Sequence, residues 1–178
     1  MTQYRSTYDS PLGEIVLAAD EAGLAGLWFT GQKYFGLHLD GNAIEGETDA
    51  IKAAKEWLNE YFAGHEPAVK VPLHYTGTDF QNEVWDILCS IPYGQTMTYG
   101  EIAQEMAKRR GKKHMSAQAV GGAVGHNEIS LIVPCHRVVG ANGSLTGYAG
   151  GISKKVELLK LEGAWRDTFF TPKRSTAP

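Results

Sequence analysis

Residues 131–139 of this 178-residue chain read LIVPCHRVV, and this stretch decides how the second half of the molecule is interpreted. The apolar runs Leu131–Val133 and Val138–Val139 predict a buried strand with an interruption. Pro134 has no backbone N–H and breaks the run, so Cys135 is predicted to lie where the strand becomes a turn. A cysteine in that place is either a small buried hydrophobic residue, which is the common case, or a nucleophile.

The residue after Cys135 favours the nucleophile. His136 titrates near neutral pH, and an imidazole is the usual base that converts a thiol into a thiolate. Neighbours on an extended strand face opposite ways, so His136 must act across the turn or through a water molecule. Glu162, at the end of the last predicted helix, is the candidate for orienting the imidazole. The same residues would also suit a cysteine hydrolase.

Composition and length indicate an ordinary globular protein of one domain or two small ones. Apolar residues are 43% of the chain and charged residues 21%. The first residues lack the apolar segment of a secretory signal, and the run Ile15–Ala19 is too short to cross a bilayer, so we expect a cytoplasmic location and no membrane contact. Cys89 and Cys135 give neither a disulfide framework nor a metal clip. Cys89, on an apolar helix, is expected in the core.

Charge is divided unevenly along the chain. Residues 1–79 hold 5 Lys and Arg against 12 Asp and Glu, whereas residues 80–178 hold 12 against 8. The basic residues include the run Lys108–His114. This asymmetry favours an anionic partner for the second half, with a simply solvated basic surface as the alternative.

The first half predicts an α/β domain over residues 1–76. Two apolar runs, Glu14–Ala19 and Leu24–Phe29, are joined by a turn and predict a hairpin. Asp49–Ala63 has apolar residues at helical spacing. Residues 64–78 are rich in proline and glycine and predict a linker.

The second half predicts a mostly helical domain over residues 77–164, followed by a loose tail over 165–178. A helix-turn-helix outline is formed by Tyr99–Ala107, the basic connector and Ala117–Val124. The other predicted helices are residues 80–91 and a last helix to Glu162, which Ser153 caps. Capping boxes are predicted at Thr78–Gln81 and Thr98–Glu101.

The chain resembles the O6-alkylguanine-DNA alkyltransferases, also called methylated-DNA–protein-cysteine methyltransferases. The resemblance is carried by residues 134–138, Thr98–Ala103, Ala119–Ala123, Asn127 and Gly147–Gly151. The resemblance extends from about Phe80 to Gly163. The first half is similar only in layout. The fold that the resemblance implies is an α/β roll of ribonuclease-H-like arrangement, followed by a winged-helix domain that contains the helix-turn-helix.

The resemblance implies a methylated-DNA–[protein]-cysteine S-methyltransferase that needs no cofactor and no metal. Cys135 would take the alkyl group of O6-alkylguanine, and possible O4-alkylthymine activity stays open. The transfer is irreversible, so each protein is used once. His136 would act as base through a water molecule, Glu162 would orient it, Tyr99 would donate to the departing guanine and Asn127 would hold the turn. The residues that would shape the base pocket are Val138, Tyr148, Ala149 and Gly150.

The implied partner is alkylated double-stranded DNA, bound by a monomer through the minor groove with the target base flipped out. The implied DNA contacts are Ala117, Gln118, Ala119, Gly121, Gly122, Arg109, Arg110, Lys112 and Lys113. The sequence departs from the family pattern in three ways: Gln118 replaces an arginine, Glu128 replaces a proline, and the basic connector is longer. A DNA-binding module that only flags lesions is a further alternative, but such relatives lack the cysteine.

Overall fold

The computed structural model describes residues 1–172, which divide into two compact units. The first unit holds residues 1–76 and 128–130, and the second holds residues 77–127 and those from 131 onward. Three residues from the middle of the second half thus belong to the first unit, which no local pattern in the sequence predicts. No helix within residues 1–172 is long and apolar enough to span a membrane.

The first unit is built on a four-stranded sheet in the order β3-β2-β1-β4. Strands β1 (Tyr4–Ser10), β2 (Gly13–Asp20) and β3 (Gly23–Phe29) are antiparallel, and the short β4 (Ile44–Glu45) pairs in parallel with β1. The predicted β2–β3 hairpin is confirmed. Strand β1 was not predicted, because it is largely polar and has no buried apolar run.

Helix α1 (Asp49–Phe62) packs on this sheet. Thr48 caps it, because its side chain accepts a hydrogen bond from the Ile51 backbone N–H at 3.2 Å. Its buried face carries apolar residues at helical spacing, and Trp57 stacks on Tyr61.

The predicted linker over residues 64–78 contains the boundary between the two units, at residues 76 and 77, but its residues 72–74 pair with β3 and so belong to the sheet. Leu24 in β3 donates its N–H to the Pro72 carbonyl at 2.8 Å, and His74 donates to the Leu24 carbonyl at 2.8 Å. The same edge of β3 receives Ile129, which forms a parallel bridge with Leu27. Both segments therefore satisfy backbone groups that an edge strand would leave open.

The predicted strand at Leu131–Val133 is wrong. Residues 131–133 form a turn, and the sheet pairing lies just before them, at residues 128–130. Leu131 has φ of +71°, a left-handed conformation that stops the chain from continuing as a strand. An apolar run of three residues predicts that the segment is buried. It does not predict whether the backbone of that segment pairs with a strand.

The second unit contains α2 (Asp79–Cys89), β5 (Met97–Thr98), α3 (Tyr99–Arg109), α4 (Ala117–Gly125), β6 (Val138–Val139) and α5 (Ile152–Leu161). Strands β5 and β6 pair in parallel. The capping boxes at the starts of α2 and α3 are confirmed. The expected cap of α5 is wrong: Gly151, with φ of +99°, occupies the N-cap position and Ser153 lies inside the first turn.

Two further expectations for the second unit are wrong. Cys89 is exposed rather than buried, because it shares a face of α2 with the exposed Asp86, three residues earlier. The expected tail is packed as far as residue 170: the Leu145 N–H donates to the Phe170 carbonyl at 2.9 Å, and Trp165 packs on an apolar cluster that includes Leu145. Residues 173–178 of that tail lie outside the described residues.

Replacement of Gly23 by alanine should destabilise the first unit. Gly23 has φ of +146°, and a Cβ there would lie 2.7 Å from the Pro72 carbonyl oxygen, which is already bonded to Leu24. The strained backbone alone costs roughly 1–3 kcal/mol. Gly41→Ala is the matched control, since that position is open and not left-handed. Urea unfolding followed by tryptophan fluorescence measures both variants, and equal stabilities for the two would contradict the packing described.

Candidate active site around Cys135

The nucleophile candidate lies on a single turn of 3-10 helix, Cys135–Arg137, that starts after Pro134. The Cys135 N–H donates to the Val133 carbonyl at 2.8 Å, and the Arg137 N–H donates to the Pro134 carbonyl at 3.0 Å. Cys135 is 5% exposed. The break that Pro134 predicts is therefore present, as a tight turn and not as an interrupted strand.

Asn127 fixes this turn from the far end of α4. Its side-chain Nδ2 donates to the Val133 carbonyl at 2.8 Å, and its side chain also hydrogen-bonds the Cys135 sulfur. Asn127 is buried, so the two contacts are shielded from water. The amide thus links the chain before the turn to the thiol itself.

The environment of Cys135 opposes the thiolate in one way and favours it in several. Burial raises the pKa of the thiol. The Asn127 amide, the Lys155 cation and the backbone N–H groups of Cys135 and His136 all act to lower it, without outweighing burial. The resting thiol is therefore protonated, and its activation needs a base.

His136 and Glu162 form a buried hydrogen-bonded pair. The His136 Nε2 lies 2.5 Å from Glu162 Oε2, and both side chains are fully buried. Burial acts to raise the pKa of Glu162, but the hydrogen bonds and charges of His136 and Arg137 outweigh it and lower that pKa to about 2. Burial lowers the pKa of His136 despite the nearby carboxylate. A neutral imidazole that donates from Nε2 keeps Nδ1 as a proton acceptor.

Arg137, to which the sequence pattern assigned no role, neutralises Glu162 from the other side. Its Nε donates to Glu162 Oε1 at 2.7 Å, its Nη1 donates to the Ile91 carbonyl at 2.7 Å, and its guanidinium lies 5.6 Å from the ring centre of Tyr93. Because a guanidinium stays charged, it keeps Glu162 ionised while His136 is neutral. No sequence pattern indicates that Arg137 pairs with Glu162.

Lys155 is a second site residue that sequence reasoning missed. It is fully buried in α5, and its Nζ donates to the Val138 carbonyl at 2.5 Å and to the Gly147 carbonyl at 3.5 Å. Burial lowers its pKa to about 8, although a negative charge on Cys135 acts in the opposite direction. A signal existed, because Lys155 shares the helical face of Leu158, Leu159 and Glu162.

Tyr99 opens α3 and reaches the loop before the predicted base pocket. Its Oη donates to the Thr146 carbonyl at 3.0 Å, and the Gly147 carbonyl, shared with Lys155, lies 3.5 Å away. Burial, and then the charge of Cys135, raise the pKa of the phenol, so Tyr99 remains a donor. Of the predicted pocket residues, Val138 and Tyr148 are buried, while Ala149 and Gly150 are partly exposed.

The candidate DNA contacts of α4 lie on its first turns. Ser116 caps the helix, since its Oγ accepts from the Ala119 N–H at 3.2 Å. Ala117, Gln118 and Ala119 are exposed, Gly122 is partly exposed, and Gly121 is buried. A Cβ added at Gly122 would meet open space, so packing within the second unit does not require glycine there.

The basic connector is shorter and less free than expected. Lys108 and Arg109 belong to the last turn of α3, so only residues 110–116 join it to α4. Arg109 forms ion pairs with Glu105 at 3.1 Å and Asp86 at 3.3 Å. Arg110 pairs with Glu83 at 2.9 Å. Within residues 1–172, the exposed Lys112 and Lys113 take part in no ion pair.

These contacts place a cysteine, an amide that holds it and a histidine–glutamate pair in a helical unit that contains a helix-turn-helix candidate. Two family descriptions match the chain: "6-O-methylguanine DNA methyltransferase, ribonuclease-like domain" over residues 3–75, and "6-O-methylguanine DNA methyltransferase, DNA binding domain" over residues 79–164. The chain belongs to the 6-O-methylguanine DNA methyltransferase family.

Individual relatives agree along most of the chain. The methylated-DNA–protein-cysteine methyltransferase of Methanosarcina acetivorans is 44% identical over 162 residues, covering 90% of this chain and 99% of the relative. The protein of that name from Mycobacterium tuberculosis is 46% identical, covering 91% and 93%. A crystal structure of Mycobacterium tuberculosis OGT in complex with DNA is 42% identical, with a TM-score of 0.77 and coverage of 92% and 94%.

Replacement of Lys155 by methionine should make Cys135 less reactive at neutral pH. The change removes the buried cation that acts to lower the pKa of the Cys135 thiol, so a higher pH is needed to form the thiolate. The rate of alkylation by iodoacetamide, measured against pH in a Cys89→Ser background, should reach its half-maximum at a higher pH. Lys155→Arg, which keeps the charge, is the control. An unchanged pH profile in Lys155→Met would contradict this electrostatic role.

Proposed function

We propose that this protein repairs DNA by taking the alkyl group from O6-alkylguanine onto Cys135. The observation that carries the proposal is the Cys135 turn, with Asn127 on the sulfur and the His136–Glu162 pair beside it. The family of the chain supports the same reaction. Relatives covering nine-tenths of the chain are named methylated-DNA–protein-cysteine methyltransferases.

The proposed reaction is one displacement at the alkyl carbon. The proton of Cys135 passes through a water molecule to Nδ1 of His136, and Glu162 stabilises the imidazolium. The sulfur forms a bond to the alkyl carbon as the bond from that carbon to O6 of guanine breaks. The electron pair leaves on the guanine, where the Tyr99 hydroxyl gives up its bond to the Thr146 carbonyl and donates to the developing charge.

The product is a thioether on Cys135, which explains why each protein acts once. A thioether sulfur has no proton to lose and is a poor leaving group, so water does not regenerate the thiol. The protein is therefore a stoichiometric reagent. This distinguishes it from a cysteine hydrolase, and the presence of Cys135 distinguishes it from a module that only flags lesions.

The proposed DNA interface is α4 with the connector before it. In this proposal α3 and α4 form a helix-turn-helix within a winged-helix domain, and α4 enters the minor groove of a monomer-bound duplex. Small side chains suit close approach to a groove without reading base edges. The first unit is proposed to have the ribonuclease-H-like arrangement. The flipped base would lie among Val138, Tyr148, Ala149 and Gly150.

Gln118 is proposed to fill the gap that the flipped base leaves. It is exposed on the first turn of α4 and can both donate and accept hydrogen bonds toward the orphaned partner base. It is shorter than the arginine typical of the family and carries no charge, so it would hold the flipped state less firmly. The population of that state sets the rate of capture from duplex DNA.

The acceptor residue can be identified directly. After incubation with a duplex that contains O6-methylguanine, proteolysis and peptide mass spectrometry should find one methyl group, on the peptide that carries Cys135. Cys135→Ala should lose transfer and keep DNA binding, because the thiol makes no phosphate contact. Cys89→Ser is the matched cysteine control and should transfer normally. Methylation of Cys89, or transfer by Cys135→Ala, would overturn the assignment.

The charges of the connector should differ in their effect on DNA binding. Lys112 and Lys113 take part in no ion pair within the described residues. Replacing both with alanine should therefore reduce the slope of log affinity against log salt, by about 0.9 for each phosphate that is no longer neutralised. Arg109 and Arg110 are already paired with carboxylates, so their replacement should change the slope less.

Lys52→Ala with Lys70→Ala, on the exposed surface of the first unit, is the charge-matched control. A larger slope change for the arginine pair than for the lysine pair would show that the ion pairs open on DNA. An unchanged slope in the lysine pair would show that the connector is only solvated.

A further inference from the structure

Glu128 is a buried carboxylate outside the proposed machinery, and it binds three donors. Its Oε1 accepts from the His38 backbone N–H at 3.2 Å. Its Oε2 accepts from His38 Nδ1 at 2.6 Å and from the Thr76 hydroxyl at 3.0 Å. The Glu128 side chain is 4% exposed and its partner His38 is 48% exposed, so the carboxylate is shielded from water while the imidazole reaches the surface. One carboxylate therefore joins three segments of the first unit that are remote in sequence.

The backbone around Glu128 is held as firmly as its side chain. The Glu128 carbonyl accepts from the Leu27 N–H at 2.8 Å, and the Ser130 N–H donates to the Leu27 carbonyl at 2.9 Å. Leu131 follows in a left-handed conformation, with φ of +71°, and it is fully buried. A leucine keeps such a backbone only where its neighbours determine the path of the chain. The three residues 128–130 are thus a fixed point.

The residue directly before this fixed point is Asn127, whose side chain holds the Cys135 turn. The hydrogen bonds of the Glu128 side chain and carbonyl together hold its Cα, at which the peptide bond that leaves Asn127 ends, and so restrict the backbone and side-chain direction of Asn127. The family resemblance places a proline at position 128, where the ring would restrict the preceding residue without any side-chain bond. In this chain a carboxylate with three hydrogen bonds occupies that position.

We infer that Glu128 is a positioning residue for methyl transfer, which acts by fixing Asn127 and through it the Cys135 thiol. The inference rests on the proposed role of Asn127. It assigns to His38 and Thr76 a part in the reactivity of a cysteine that neither of them needs to contact. Loss of the carboxylate should loosen Asn127 and weaken the hydrogen bond that favours the thiolate.

The test compares Glu128→Ala with the conservative Glu128→Gln, both in a Cys89→Ser background and well below their melting temperatures. The first readout is the pH dependence of Cys135 alkylation by iodoacetamide, and the second is the single-turnover rate of methyl transfer from an O6-methylguanine duplex. Glu128→Ala should move the alkylation profile to higher pH and slow transfer by about tenfold at most, because the Asn127 bond to the thiolate is weakened and not removed, and complete removal of such a bond costs about tenfold or more. Glu128→Gln should restore most of both, since its Oε1 can accept from the His38 backbone N–H while its Nε2 donates to the Thr76 hydroxyl oxygen and to Nδ1 of the other His38 tautomer.

The pathway through Asn127 is tested by a double variant. If Glu128 acts through Asn127, then Asn127→Ala combined with Glu128→Ala should be no slower than Asn127→Ala alone. Multiplied effects in the double variant, or a folded Glu128→Ala with the parent profile and rate, would overturn the inference. Glu66→Gln, at an exposed position of the same unit, is the control for charge and should change neither readout.

Two milder variants keep the test decisive if Glu128→Ala does not fold. Thr76→Val and His38→Ala each remove one donor to the carboxylate. Both should shift the alkylation profile in the same direction by less, and unchanged profiles in both would overturn the inference. The iodoacetamide readout does not depend on DNA. A parent protein that transfers no methyl group would therefore disprove the proposed function while leaving the positioning role measurable.

Discussion

The buried carboxylate of Glu162 organises the site, because it binds two consecutive residues of the nucleophile turn at once. His136 donates to one of its oxygens and Arg137 to the other. The same turn is fixed on its other side by Asn127. A buried charge costs stability unless it is paired and fully hydrogen-bonded, and here both carboxylate oxygens have charged or polar donors. Removal of any one partner would leave another buried group unsatisfied.

The buried partners of Glu162, His136 and Cys135 set the protonation state of each group at rest. The low pKa of Glu162 means that the carboxylate stays ionised at any physiological pH, so it is a constant partner and not a proton donor. Burial lowers the pKa of His136, so the ring rests neutral and has a nitrogen that can accept a proton. Burial keeps the Cys135 thiol protonated until a base acts, which protects it from other electrophiles.

Local patterns in the sequence predicted local structure well. The capping boxes of α2 and α3 were predicted because cap and partner are three residues apart. The β2–β3 hairpin followed from two apolar runs and a turn. The sequence did not predict the long-range pairing of residues 72–74 and 128–130, which add to the edge of β3. The apolar residues Leu131–Val133 were predicted to be a strand, but they form a turn, and the pairing with β3 lies just before them.

The candidate site was predicted in part for the same reason. Cys135 and His136 stand out by adjacency, and the structure shows that Asn127 contacts the first and Glu162 the second. Arg137 and Lys155 were missed, because each contributes to the site through a buried partner that lies far away in the sequence. Lys155 was still detectable, as a cation on the apolar face of α5. Cys89 was misjudged because one turn of a helix carries both buried and exposed positions.

In the proposed function Cys135 is a nucleophile that is consumed by its own reaction. The most direct measurement mixes the protein with a large excess of duplex containing O6-methylguanine and follows the repaired base until the reaction stops. Single use predicts a plateau at one repaired base per protein chain, with a further equal plateau each time fresh protein is added. Continued repair beyond one base per chain would contradict it, because it would require a route that restores the Cys135 thiol.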